Sequence, residues 1–209
     1  MSASFNNRTL LVGITGGIGS GKSTLARMLL DKGLPLLQLD TIGHQLLDDA
    51  AVCAELIASF GATIRRSDGS IDRAELARLA FADRAATSRL NAIMHPRIWR
   101  SALDWMEAQE GPLALIEAAV LIEAGWSRWT DRLIVVRCER KERCRRVVEE
   151  RGKSEEYFEA VAARQCSESE REYSASEMID NNGTLAALQA RADDLYARLL
   201  AWSEQHRKE

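Results

Sequence analysis

Histidine is scarce in this 209-residue chain, with three, and the four cysteines, Cys53, Cys138, Cys144 and Cys166, include no C-x-x-C pair and no accompanying histidine cluster. That spacing argues against both a zinc site and a disulfide framework, and leaves reduced thiols that are mostly packing residues. Long apolar runs are missing too. Nothing is long enough to span a bilayer, and the opening residues, MSASFNNRT, lack the charged-then-apolar layout of a signal peptide, so the cytoplasm is the expected compartment. No sign of charge dominates: the net charge is −3 with both signs interspersed, which removes the bulk electrostatic case for nucleic acid or an anionic membrane as partner. Small soluble substrates are expected instead, bound by a monomer or weak homo-oligomer. Internal repeats, low-complexity tracts and an N-K-x-D guanine-reading sequence are absent as well, which ranks a GTP-binding switch low.

What is present begins at Gly16-Gly17-Ile18-Gly19-Ser20-Gly21-Lys22-Ser23-Thr24, which fits G-x-x-x-x-G-K-[ST]. In such a loop the glycines Gly17, Gly19 and Gly21, with Ser20, let backbone N–H groups turn onto phosphate oxygens. Lys22 reaches the outer phosphates as a point charge, and the Ser23 hydroxyl, followed by Thr24, is suited to Mg²⁺. The context is right: an apolar run over Thr9 to Thr15 reads as a buried parallel strand, and Leu25, Met28 and Leu29 recur afterwards at helical spacing.

The length suits one nucleotide domain with insertions. Gly33 and Pro35 end the first helix, and a second apolar run, Leu34 to Leu39, is expected as a strand finishing at Asp40. Residues 41–109 then read as helical, too long for a simple crossover. Asp72-Arg73-Ala74-Glu75 resembles a capping box there, and His95-Pro96 is expected to break the next helix. LALIE at Leu113 to Glu117, RLIVV at Arg132 to Val136, and Met178-Ile179 restore the strand pattern, giving five parallel strands, and Leu185 to Trp202 is an amphipathic helix. The spacing thus divides the chain into a core (1–40, 110–138, 172–209), a helical insertion (41–109) and an arginine-rich segment (139–171) expected as two helices around a hinge at Arg151-Gly152-Lys153-Ser154.

Ligands of open α/β sheets lie beyond the carboxyl ends of the strands. Asp40 there is suited to orient an acceptor hydroxyl and take its proton in phosphoryl transfer, or to cap the helix that follows. Glu117, with Glu123 as second choice, can hold Mg²⁺, or be an ordinary junction carboxylate. The arginine cluster suits a lid that clamps phosphate and excludes water, against which stands a solvated, salt-bridged helix pair. His95 can bond a substrate or cap its helix. Asp180-Asn181-Asn182-Gly183 is a turn placed where an adenine base would lie.

Taken together these residues resemble the dephospho-CoA kinase family over nearly the whole chain. Ile14 to Thr24, Asp40, Asp72-Arg73-Ala74-Glu75-Leu76 with Phe81, His95-Pro96 and Ile179-Asp180-Asn181-Asn182-Gly183 carry the resemblance. It implies an α/β P-loop nucleotide kinase fold with a five-stranded parallel sheet, an acceptor-binding insertion over 41–109 and a lid over 139–171. The substrates it implies are ATP and dephospho-CoA, with Mg²⁺ as cofactor. Asp40 would activate the ribose 3′-hydroxyl, with Lys22, Arg146 and Arg151 at the transferring group, and Ser23 and Glu117 at the metal. Arg146, Arg164 and Asn182 would join the loop in holding ATP, and Asp40, Arg73 and His95 would face the acceptor. Three positions depart from the family's wording: Ala119 stands where a proline is usual, His44 where an arginine is usual, and Ser176 where an acidic residue is frequent. A kinase of the same architecture acting on a nucleoside or nucleotide, or a regulatory ATP-binding protein without turnover, are the alternatives.

Overall fold

A computed structural model describes residues 9–208; the reading of the first residues as lacking a signal peptide falls, for residues 1–8, outside them. Strands β1 (Leu10–Thr15), β2 (Leu36–Gln38), β3 (Leu113–Glu117), β4 (Arg132–Arg137) and β5 (Glu177–Asp180) form a five-stranded sheet in the order β2-β3-β1-β4-β5. Every pairing is parallel. The two central strands are buried at every position, as continuous apolar runs in a sheet covered on both faces must be. Helices α1 (Lys22–Leu30) and α9 (Leu185–His206) pack on one face, where Leu25, Leu29, Leu188, Leu195 and Leu199 join Val12, Ile14, Leu115, Ile134 and Val136 in one core. Among the described residues no helix is long and apolar enough to cross a membrane.

The expected strand over Leu34 to Leu39 is shorter. Leu34 N–H still bonds to Leu29 O and Gly33 N–H to Leu30 O, the paired closure that ends α1, so Leu34 belongs to the helix stop. At the other end α2 (Leu39–Gln45) starts at once and takes Asp40 into its first turn.

The described chain divides into two compact units, one of residues 9–38 and 106–208 and one of residues 39–105. The second unit contains α2, α3 (Ala50–Phe60), α4 (Arg73–Ala80) and nearly all of α5 (Arg84–Glu107), around Val52, Leu56, Ile64, Ile71, Leu76, Ala80 and Ile93. Asp72 caps α4 by accepting from Ala74 and Glu75 N–H, but Glu75 binds Arg78 instead of turning back, so only half of the expected capping box forms. His95-Pro96 does not break the helix as expected: α5 runs through with Pro96 inside. A proline normally costs its helix a hydrogen bond. The carbonyl that loses its donor is that of Ala92; Arg97 braces the turn beside it, donating from Nη1 to Ile93 O at 2.7 Å and from Nη2 to Glu55.

Residues 139–171 fall in the same unit as the sheet. They form α6 (Arg140–Arg145), a π-helical turn (Arg146–Glu150), α7 (Glu155–Ala162) and the start of α8 (Glu168–Ser174), where two helices were expected. Ser154 caps α7 through Tyr157 N–H. The additional helix follows from a full capping box, Ser167 with Glu170.

Candidate active site

The phosphate loop joins β1 to α1, as its motif requires. At Gly19 φ is +77°, and a Cβ built there would strike the backbone of Arg143, with its Cα at 3.0 Å. A side chain at Gly17 would run into the Arg143 guanidinium, and one at Gly21 into the Asn181 amide. Glycine is therefore needed twice over: to turn the chain, and to let α6 and the segment after β5 come against the loop.

Those neighbours are fixed by strong bonds. Arg143, 5% exposed, donates from Nε to Cys138 O at 3.0 Å and from Nη2 to Glu168 Oε1 at 2.7 Å, leaving Nη1 on the side of Gly17. Arg171 is also buried, lies 3.8 Å from the same Glu168 oxygen, and approaches Gly17 as well. Burial pushes the Arg143 guanidinium below its usual pKa, with Arg171 and Arg140 adding repulsion against the pull of Glu168; a guanidinium starts so high that it stays charged. Two cations sharing one carboxylate beside a glycine loop leave positive charge in excess there, which an anion would offset.

Lys22 and Ser23 open α1 and meet Glu117, which ends β3. Glu117 is 2% exposed; Ser23 Oγ donates to its Oε1 at 3.3 Å, Gln38 Nε2 to its Oε2 at 3.2 Å, and Lys22 Nζ lies 3.9 Å from Oε1. A carboxylate and a hydroxyl side by side are hard oxygen donors. Among the described residues there is no group of three or more His, Cys, Asp or Glu able to cage a metal. This sparse set fits Mg²⁺, which takes one or two protein oxygens and fills its octahedron with water and phosphate.

The other expected residues are placed as follows. Ser20 is buried with its hydroxyl beside Gly16 and without a hydrogen-bond partner, while its N–H closes the turn onto Gly17 O at 3.0 Å. Thr24 is exposed. Arg146 lies near Gly21 and donates to Asn181 O at 2.9 Å and to Glu142 at 2.9 Å. Arg151 is exposed after the π-helical turn, and Arg164 is exposed after α7. Asn182 is exposed and accepts from Glu139 N–H at 2.8 Å; its neighbour Asn181 is the one that reaches the loop, donating from Nδ2 to Ser20 O at 2.7 Å. Glu123 holds Cys166 N–H at 2.7 Å, away from the Ser23–Glu117 pair in hydrogen bonding. In the helical unit Asp40 is exposed, Arg73 donates to His44 O at 3.4 Å, and His95 is half-buried, its imidazole pushed to a lower pKa by burial. Ser176 extends the β4–β5 ladder by donating its N–H to Leu133 O at 2.8 Å, and its hydroxyl accepts from Leu133 N–H at 3.0 Å.

Arg143, Arg171, Asn181, Gln38 and Gln165 are contacts that the motif did not point to. Two had a signal: Arg143, Arg146 and Val147 fall on one helical face, and Ser167-x-x-Glu170 sets the start of α8 and hence the direction of Arg171. Gln165, in the connection between α7 and α8, had none.

The model of the dephospho-CoA kinase family matches residues 10–187. Among curated relatives, the dephospho-CoA kinase of Methylococcus capsulatus is 37% identical over 190 residues, 90% of this chain and 96% of its own. That of Corynebacterium glutamicum is 39% identical over 196 residues, 92% and 98% of the two chains. A crystal structure from Thermus thermophilus superposes with a TM-score of 0.80 at 33% identity, covering 92% of this chain and 98% of that one. The chain belongs to the dephospho-CoA kinase family.

Proposed function

We propose that the protein is a dephospho-CoA kinase, transferring the γ-phosphate of ATP to the ribose 3′-hydroxyl of dephospho-CoA to give coenzyme A and ADP. This is the last step of coenzyme A biosynthesis. One observation carries the chemistry: a glycine loop with Lys22 and Ser23 set on a buried carboxylate, Glu117, and flanked by buried arginines. The identity of the acceptor rests on family membership.

On this reading the N–H groups of the loop from Gly17 to Thr24 bind the phosphates of ATP and Lys22 sits at the outer ones. Phosphoryl transfer asks for positioning and charge stabilisation more than covalent chemistry. Arg143 and Arg171 supply fixed charge beside the loop, Arg146 sits at Gly21, and the exposed Arg151 and Arg164 are the lid arginines of residues 139–171. Ser23 and Glu117 would hold Mg²⁺, which supplies charge neutralisation on the phosphates when bound. Asn182 lies on the side of the adenine base.

Asp40 orients the acceptor hydroxyl and takes its proton, the role a general base plays in phosphoryl transfer to an alcohol. The chain delivers it two residues after Gln38, whose amide holds Glu117. Residues 41–109, with Arg73 and His95, form the acceptor-binding insertion. The protein works in the cytoplasm as a monomer or weak homo-oligomer, on small soluble substrates and without nucleic acid or membrane. The test is to offer dephospho-CoA, adenosine, uridine and AMP with Mg²⁺ and ATP and to identify products by mass spectrometry. Coenzyme A alone is expected; phosphorylation of another acceptor in its place would overturn the substrate.

A further inference from the structure

Gln165 makes two bonds with the two ends of one side-chain amide. Its Oε1 accepts the N–H of Ile18, a residue of the phosphate loop, at 2.8 Å, and its Nε2 donates to the carbonyl of Ala119, two residues past Glu117, at 3.1 Å. One partner is a donor and the other an acceptor, and an amide answers both at any pH, whereas a carboxyl of the same length does so only when protonated. The next residue repeats the attachment: Cys166 N–H bonds to Glu123. The Ile18 side chain meanwhile is buried with Val147 of the π-helical turn and Phe158 of α7, with Cys144, Val161 and Ala162 packed around them. Ile18 is thus gripped at both its backbone and its side chain by residues 139–171.

From this geometry we infer that Gln165 is a positioning residue for phosphoryl transfer, joining the arginine-rich segment, the phosphate loop and the strand end that carries Glu117 into one body. It fixes the peptide of Ile18, and through it the orientation of the loop N–H groups that follow. It also fixes the spacing between that loop and the Glu117 carboxylate. This assignment rests on the proposed kinase reading for its catalytic consequence, though not for the bonds themselves.

The test uses the full chain and the variants Gln165→Leu and Gln165→Glu. Amide exchange at Ile18, read by NMR without any substrate, should accelerate about tenfold or more in Gln165→Leu as the N–H loses its acceptor. Turnover should fall about tenfold or more, because small misplacements of reacting groups are costly, while KM for the acceptor stays within about twofold. Gln165→Glu keeps an oxygen for Ile18 but opposes a second one to Ala119 O. Its turnover relative to the parent should therefore recover as pH is lowered and the carboxyl regains a proton to donate, a rescue that a purely structural part would not give at constant folded fraction. Unchanged Ile18 exchange, or turnover within twofold of the parent, overturns the inference. If Gln165→Leu does not fold, absence of that recovery in folded Gln165→Glu overturns it equally. Should the parent protein not phosphorylate dephospho-CoA, the substrate reading fails on its own, while Ile18 exchange and calorimetric ATP affinity still decide whether Gln165 holds the loop.

Discussion

Replacing Gly19 by alanine separates two costs that the phosphate loop combines. Its φ of +77° is one that an L side chain adopts at a cost of about 1–2 kcal/mol. The new Cβ would also meet the Arg143 main chain, with Cα at 3.0 Å and the carbonyl closer still, and backbone cannot rotate aside as a side-chain tip can. Overpacking of this kind adds about 1–3 kcal/mol, since α6 must shift bodily from the loop. Gly125 is the control: φ is +70°, with nothing within 4 Å of a built Cβ. At this chain length each kcal/mol shifts Tm by about 2–4 °C, so Gly125→Ala should melt about 4 °C lower and Gly19→Ala about 10 °C lower. Differential scanning calorimetry gives both numbers, and titration with ATP should show weakened affinity in Gly19→Ala only. Equal losses of Tm in the two variants, or ATP affinity unchanged in Gly19→Ala, would refute the close approach of α6 to the loop as the reason for glycine.

Asp40→Asn should keep the fold and ATP binding while turnover falls by about two orders of magnitude or more, and near-normal steady-state turnover would remove Asp40 from the mechanism. Glu117→Gln should raise the Mg²⁺ concentration needed for half-maximal turnover by about tenfold or more, read from a Mg²⁺ titration at fixed ATP; an unchanged midpoint would place the metal elsewhere. His95 gives a pH signature. Burial depresses its folded pKa below the ordinary imidazole value of 6.5, so the neutral ring's contribution is present above pH 6.5 and is lost as pH falls from there toward the folded pKa. His95→Gln should therefore lose less Tm than the parent between pH 7 and pH 5.5, and parallel Tm profiles would contradict it.

Much of the core was legible because its signals are local. LALIE and RLIVV read as strands since a parallel strand covered on both faces carries a near-continuous apolar run, and β3 and the middle of β4 are buried that way. The loop motif carries its own geometry, and the position of Glu117 at a strand's carboxyl end, where it meets Lys22 and Ser23, was readable from the apolar run before it. Errors arose where a distant or side-chain partner decided. Pro96 reads as a helix breaker, yet Arg97 fixes the turn around it. Glu75 fits a capping box, yet Arg78 takes its carboxylate. Leu34 reads as strand, yet the closing turn of α1 claims its N–H. The arginines show the same limit: composition marked the cluster, but only packing distinguishes Arg143 and Arg171, buried against the loop, from Arg145, held outside by Glu142, Glu149 and Glu150.

The most direct measurement is the coupling of ADP release to acceptor phosphorylation, with ADP and coenzyme A quantified together in the presence of Mg²⁺. One coenzyme A, phosphorylated at the ribose 3′ position, is expected for each ADP, with little ADP formed when dephospho-CoA is left out. ADP released at the same rate without acceptor, or with no coenzyme A formed, would contradict a kinase whose loop, carboxylate and arginines are arranged to pass the phosphoryl group to that hydroxyl.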